Sequence, residues 1–158
     1  MADIYRIKSI SEVHQMFGLD KPKHPLITII RKWPQVDFDF GNIKLTSDLY
    51  LLSMKGKMKG TTFQYGRNSY DFDDGTLVFI SPNQVASFAD PIEELDDSGW
   101  TILFHPDLIR KSELGKTIKK HSFFTYETNE ALYLSDKEKH SLFELVSFHV
   151  SSSCFSFT

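Results

Sequence analysis

The chain has 158 residues, with 18 basic and 21 acidic side chains and a formal net charge of −3. These totals do not indicate binding to a polyanion. A content of 41% hydrophobic and 25% charged residues excludes a disordered chain. The length predicts one domain. The chain has a single cysteine, Cys154, and its start does not resemble a leader peptide. It also has no run of about 18 apolar residues. These features predict a cytoplasmic protein without a membrane span.

The first predicted element is a short helix. Residues 9–12 have the Ser-x-x-Glu spacing of a capping box, apolar residues then recur at helical spacing, and Gly18 supplies a stop. These signals predict a helix over residues 10–17. Prolines end it, because they lack an amide donor and restrict the preceding residue. Predicted strands follow over residues 26–30, 35–40, 47–54 and 99–104.

The stretch from Tyr50 to Phe88 consists of short apolar runs that are interrupted by turn-forming residues. Parallel neighbours need crossovers of about a dozen residues or more, and this stretch has no room for them. Its strands are therefore expected to pair as hairpins and meanders. The pattern predicts a sandwich, a jelly roll or a barrel.

The C-terminal part is predicted to be helical. Pro106 suits the first turn of a short helix, and residues 135–138 form a second capping box. The helix that follows has more apolar residues than its polar positions balance, so a second surface should cover it. We expect a homodimer, formed through Leu142, Phe143, Leu145 and Val146.

These elements divide the chain into three parts. Residues 1–134 are expected to form a barrel with its N-terminal helix, and residues 135–150 the dimerisation helix. Residues 151–158 are expected to be an irregular tail, because they lack helical charge patterning. We interpret the tail as a truncated or frameshifted end.

Catalytic and metal chemistry find little support in the sequence. Metal sites on β-barrels usually combine His-x-His with a Glu, whereas residues 61–65 and 69–72 contain neither, and the six histidines are scattered. No nucleophile elbow occurs, and Asp71, Asp73 and Asp74 cluster at a turn, where Asp is favoured for local hydrogen bonds. No metal, no cofactor and no enzymatic activity are expected.

Aromatic residues on the strands are the remaining candidates for a site. Alternation is expected to place them on inner faces, and ligand pockets are mostly apolar with a few polar groups such as tyrosine hydroxyls. The alternative is that these rings only fill the core, since protein interiors are normally packed without voids. The candidate ligand-binding residues are Phe63, Tyr65, Tyr70, Phe79 and Trp100.

Three segments carry a resemblance to a known family: residues 9–30, 70–85 and 99–139. The most specific piece is FHPDLI at residues 104–109, followed by FFTY at 123–126 and EALYLS at 130–135. The chain resembles the N-terminal cupin-type domain of AraC-family transcription regulators, especially those of Bacteroidetes. The resemblance extends to about residue 148.

The resemblance implies a mostly β, cupin-like double-stranded β-helix, that is, a jelly-roll barrel with a short N-terminal helix and C-terminal helices. It implies a domain that senses a small-molecule effector and forms a homodimer. DNA would be bound only through a C-terminal helix-turn-helix domain, which this chain does not include. A metal-free cupin enzyme, such as an isomerase, and a free-standing dimeric binding protein remain the alternatives.

Overall fold

A computed structural model describes residues 3–33, 43–55, 58–59, 63–65, 68–70, 76–88, 94–95, 99–121, 124 and 132–152. Within these ranges the fold is mostly β, with two five-stranded sheets, a short two-stranded pairing and three α-helices. The prediction of a mostly β chain with N-terminal and C-terminal helices is confirmed. The strand predicted at 35–40 lies outside the described residues.

The strands are, in chain order, β1 (Asp3–Ile7), β2 (Ile27–Ile30), β3 (Ile43–Ser47), β4 (Tyr50–Lys55), β5 (Met58–Lys59), β6 (Phe63–Tyr65), β7 (Asn68–Tyr70), β8 (Thr76–Ile80), β9 (Val85–Phe88), β10 (Glu94–Leu95), β11 (Trp100–Phe104) and β12 (Leu132–Tyr133). The helices are α1 (Ile10–Met16), α2 (Glu113–Thr117) and α3 (Asp136–Ser152). Two 3₁₀ turns, Pro106–Leu108 and Ile118–Lys120, precede and follow α2. The helix predicted at Pro106 is thus a single 3₁₀ turn.

The two large sheets have different strand orders. The first sheet has the order β1-β3-β9-β6-β7, in which β1 runs parallel to β3 and the other pairs are antiparallel. The second sheet has the order β12-β8-β4-β11-β2 and is antiparallel throughout. Consecutive strands mostly lie in different sheets, as β3 and β4 do. The predicted hairpin pairing therefore holds for β6 and β7 but not for most neighbours in the chain.

A short turn at residues 48–49 takes the chain from the first sheet to the second. The Ser47 hydroxyl donates to the Leu49 carbonyl oxygen at 3.1 Å, and the Leu49 amide donates back to Ser47 Oγ at 3.3 Å. The single strand predicted over residues 47–54 is therefore wrong at its start, because this turn separates β3 from β4. The opposite crossing, from β8 to β9, passes through Asn83, whose φ of 68° lies in the left-handed region that Asn tolerates.

Both predicted serine caps are present, and α3 has the complete capping box. In α1, Ser9 Oγ accepts from the Glu12 amide at 3.2 Å, and the helix ends before Gly18, whose φ of 64° suits glycine. In α3, Ser135 Oγ accepts from the Glu138 amide at 3.4 Å, while Glu138 Oε2 accepts from the Ser135 amide at 2.8 Å. Reciprocal bonds of this kind satisfy amides that would otherwise lack a partner.

The second sheet is buried on both faces, and each face packs against a different partner. Leu103 and Ile30 join a core cluster with Ile7 of β1 and with Ile10 and Val13 of α1. We call this side the inner face. By strand alternation the opposite side presents Trp100, Met54 and Leu77, which pack against Val146 of α3. We call it the outer face.

Candidate functional site

The inner face of the second sheet carries a buried pair of hydroxyl groups. Thr101 of β11 lies opposite Ser53 of β4, and the two side chains are 2% and 0% exposed. Their hydroxyl oxygens are 2.7 Å apart, and Ser53 Oγ also donates to the Trp100 carbonyl oxygen at 3.2 Å. Thr76 of β8, also buried, lies on the same face. Buried hydroxyls need such partners, so this pair forms a specific polar point in an otherwise apolar layer.

Sequence reasoning missed these hydroxyls. Ser53 and Thr101 stand among larger apolar residues, and serine and threonine are more often exposed. Alternation along the strands could have identified them, since each of them lies between two residues that belong to the opposite face of the sheet. A buried polar residue at such a position is more informative than another buried apolar one.

Three of the predicted ligand-binding residues lie on the same face in the register of the first sheet. Phe63 pairs with Tyr70, and Tyr65 pairs with Ala86, which in turn pairs with Leu45. Leu45 is two residues before Ser47, the partner of the core residue Ile7. Positions 63, 65 and 70 therefore share one face of the first sheet with Ile7. Their side chains lie outside the described part of the structure.

The other two predicted residues face the opposite way. Trp100 and Phe79 belong to the outer face, where they pack with Met54 and Leu77 beneath α3. The expectation that they point into the space between the sheets is corrected. Alternation places Trp100, Ile102 and Phe104 on one face of β11, but it cannot tell which of two buried faces is the inner one.

An aromatic cluster extends the outer face beyond α3. The ring of Tyr50 stacks on that of Phe104 at 5.1 Å, and Phe124 meets both Tyr50 and Phe79 edge to face, at 5.2 and 5.4 Å. The Phe124 carbonyl oxygen accepts from the side chains of Ser81 and Gln84 at 2.8 and 3.1 Å. Burial raises the pKa of the Tyr50 phenol above its ordinary value of 10.0. The tyrosine is therefore held neutral in this cluster.

The indole of Trp100 is buried without a hydrogen bond to any of the described residues. The side chain is 2% exposed, and its Nε1–H finds no acceptor among the described residues. An unpaired buried donor lowers the free energy of unfolding by about 1–3 kcal/mol, because water accepts its hydrogen bond in the unfolded chain. Contacts of the ring with Met54 and Val146 must outweigh this cost.

The four predicted dimerisation residues divide into two pairs. Val146 is 6% exposed and belongs to the outer-face core, and Leu142 packs against that core. Phe143 and Leu145 are 41% and 57% exposed, and the guanidinium of Arg31 lies 4.7 Å from the centre of the Phe143 ring. The predicted dimer surface is corrected for Leu142 and Val146, because the chain's own second sheet covers them.

Neither a metal centre nor a membrane span emerges in the described ranges. No group of three or more His, Cys, Asp or Glu side chains is suitably placed there to hold a metal ion. No helix in the same part of the chain is long and apolar enough to cross a membrane.

Comparison with known proteins does not assign a family. No family model and no curated protein sequence matches this chain. The function is therefore argued from the geometry of the two sheets and α3, together with the resemblance described above.

Proposed function

We propose that this chain is the ligand-sensing and dimerisation domain of an AraC-type transcription regulator, with its two sheets forming a cupin-like jelly roll. The observation that carries the proposal is the double-sided apolar character of α3. One side holds Val146 against the second sheet, and another leaves Leu145 largely exposed. A helix of this kind suits an element that connects a sensing domain to a second subunit.

The sheet arrangement supports the jelly-roll part of the proposal. Each sheet has five strands, and the chain passes from one sheet to the other between β3 and β4 and again between β8 and β9. Jelly rolls are built from two packed antiparallel sheets with connections of this kind. The space between the sheets is then the place for an effector, bounded by Ser53 and Thr101 and by positions 63, 65 and 70.

A hydrogen bond connects that space with α3. Ser53 Oγ donates to the carbonyl of Trp100, and the side chain of the same Trp100 supports Val146 on the other face. An effector that hydrogen-bonds Ser53 would compete with this bond and displace the β11 backbone. Such an effector shifts the position of α3 only if it binds one arrangement better than the other.

Self-association is expected through the exposed side of α3. Leu145 and Phe148 are one helical turn apart and both are exposed, so they form a continuous apolar strip. Burial of each such side chain across a two-fold contact stabilises the dimer by about 1.5–3 kcal/mol before the cost of association. The proposed dimer is therefore a weak one when only this strip holds it.

Light scattering tests the dimer directly. The wild type is expected to have twice the monomer mass at high micromolar concentration, and Leu145→Asp to have the monomer mass. His140→Asp is the matched control, because it places the same charge at an exposed position on another side of α3. A monomeric wild type, or a dimer that Leu145→Asp leaves intact, contradicts this part of the proposal.

A thermal-shift screen of small metabolites tests the sensing role. We expect at least one compound to raise the melting temperature of the wild type, and to do so less in Ser53→Ala and Tyr65→Ala. In Trp33→Phe, Trp100 is the remaining tryptophan, so its fluorescence reports whether the same compound disturbs the contact with α3. A screen without any stabilising compound contradicts sensing, whereas chemical conversion of a bound compound favours the enzyme alternative.

A further inference from the structure

Positive charge is concentrated in one segment of this acidic chain. Five of the 18 basic residues lie within residues 110–120, although the whole chain has a net charge of −3. All five are exposed. We call them the basic patch: Arg110, Lys111, Lys116, Lys119 and Lys120.

Local helical structure gathers three of these lysines on one side. Lys116 lies in α2, and the 3₁₀ turn Ile118–Lys120 continues that helix, so Lys119 and Lys120 follow at the i+3 and i+4 positions. Side chains at this spacing are neighbours on a helix surface. Ile118 is buried in between and anchors the turn, which leaves the lysines directed away from the core.

A glycine brings Arg110 next to the same helix. A Cβ atom at Gly115 would overlap the carbonyl oxygen of Ile109 and lie 3.1 Å from the Cα of Arg110. Only glycine allows the backbone of α2 to approach the preceding turn so closely. Residues 110–111 and α2 thus form one compact surface rather than a loose succession of charges.

Few acidic side chains offset this charge. Arg110 lies 3.4 Å from Asp107, and Lys116 lies 2.5 Å from Glu113, both as exposed i,i+3 pairs that contribute little stability. In the described part of the chain, Lys111, Lys119 and Lys120 have no ion-pair partner. Within residues 107–120, five positive and two negative side chains give a net charge of +3.

The composition of the basic patch favours one class of partner. Lysine is depleted in protein–protein interfaces, whose centres are apolar and aromatic, and the patch has no aromatic residue. Lysines and arginines that stay hydrated suit a row of phosphates, which are contacted as point charges. We propose that the basic patch binds the phosphate backbone of nucleic acid without reading its sequence.

This contact is separate from the proposed sensing function, which places sequence-specific DNA binding outside the chain. Its affinity should be low, with a dissociation constant of about 10⁻⁴–10⁻⁶ M at physiological salt, as for other non-specific binding. The affinity should also depend steeply on salt, because each neutralised phosphate releases counterions. The net charge of the whole chain conceals such a surface, since the acidic residues lie elsewhere in the sequence.

Fluorescence anisotropy with a short DNA duplex of arbitrary sequence tests the proposal on the full chain. The slope of log K against log salt is measured between about 50 and 200 mM. Replacing Lys116, Lys119 and Lys120 together by Gln should reduce the magnitude of this slope by about 2.7, that is, about 0.9 for each lost phosphate contact. Circular dichroism verifies that the variant is folded.

The matched control is the triple substitution Lys21→Gln, Lys23→Gln, Lys137→Gln, which removes three exposed charges outside the patch. It should leave the slope unchanged. The proposal is overturned by undetectable binding at the lowest salt, by equal slopes for wild type and patch variant, or by an equal loss in the control. Competition by polyglutamate as strong as that by DNA also overturns it, since it shows a general acidic partner. None of these outcomes bears on the proposed sensing and dimerisation function, which light scattering and the thermal-shift screen test separately.

Discussion

The two faces of the second sheet are both buried, yet they are covered by structures of different kinds. The inner face packs against α1 and β1, which come from the start of the chain and include Ile10, a side chain with no exposed surface. Among the described residues, the outer face packs against α3 and, at Tyr50 and Phe79, against Phe124. The inner contact is made by segments from the start of the chain, and the outer one by segments from its C-terminal part.

The polar groups of the two faces reinforce this difference. On the inner face Ser53 and Thr101 satisfy each other, while on the outer face the Trp100 indole N–H lacks an acceptor among the described residues. A hydroxyl pair that is satisfied within the core favours the one arrangement of the strands that keeps the two groups together.

The largest expected effect is the difference in stability between a charge introduced on the buried side of α3 and the same charge on its exposed side. Val146→Asp places a carboxylate in the outer-face core without a partner, and we expect it to lower the free energy of unfolding by at least about 3 kcal/mol. Leu145→Asp, one residue earlier and exposed, should change it by less than about 0.5 kcal/mol. Urea denaturation at a concentration where both are monomeric measures the difference. Equal losses of stability in the two variants would show that the two sides of α3 are not differently buried.

Removing one hydroxyl of the inner-face pair should have the next largest effect. Ser53→Ala removes the hydroxyl that bonds Thr101 Oγ1 and that donates to the Trp100 carbonyl oxygen. We expect the free energy of unfolding to fall by about 1–3 kcal/mol. The double variant Ser53→Ala, Thr101→Val should lose less than the sum of the two single variants, because it leaves no hydroxyl unpaired. Denaturation of all four proteins gives this coupling energy. Strict additivity would contradict a direct interaction.

The capping box of α3 provides a smaller effect. Ser135→Ala removes the acceptor of the Glu138 amide and should cost about 1 kcal/mol of stability. Ser141→Ala is a suitable control, since Ser141 is exposed on the same helix and its hydroxyl donates to the Lys137 carbonyl oxygen at 3.0 Å, within the helix itself. The control should be neutral in the same denaturation experiment. A comparable loss in both variants would point to a general effect on the helix.

The pH dependence of this cap sharpens the test. Hydrogen bonds from the Ser135 side chain and backbone hold the pKa of the Glu138 carboxyl below its ordinary value of 4.5. A lowered carboxyl pKa means that its stabilising effect is fully present above the ordinary value and is lost as the pH falls through the folded-state pKa. The stability difference between wild type and Ser135→Ala should therefore shrink below pH 4.5. A difference that grows on acidification contradicts the assignment.

Local signals in the sequence predicted several elements correctly. The capping boxes at Ser9 and Ser135 gave the starts of α1 and α3, and alternation gave β11 within one residue of its observed start. These features depend on contacts between residues that are close in sequence. The strands β1 and β12 were missed; each lies at an edge of its sheet and pairs with a strand distant in the chain, as Tyr5 with Leu45.

The sequence by itself determined which residues share a face, and the tertiary structure decided what each face meets. Alternation in β11 is a consequence of backbone geometry, so it can be read from the chain, whereas the apolar residues predicted to form one face of α3 lie on two sides of that helix. Whether Trp100 faces the first sheet or a helix depends on where α3 packs, and that position depends on the total apolar area that all elements bury together. The same reason explains why Val146 is covered by its own sheet and Leu145 is not.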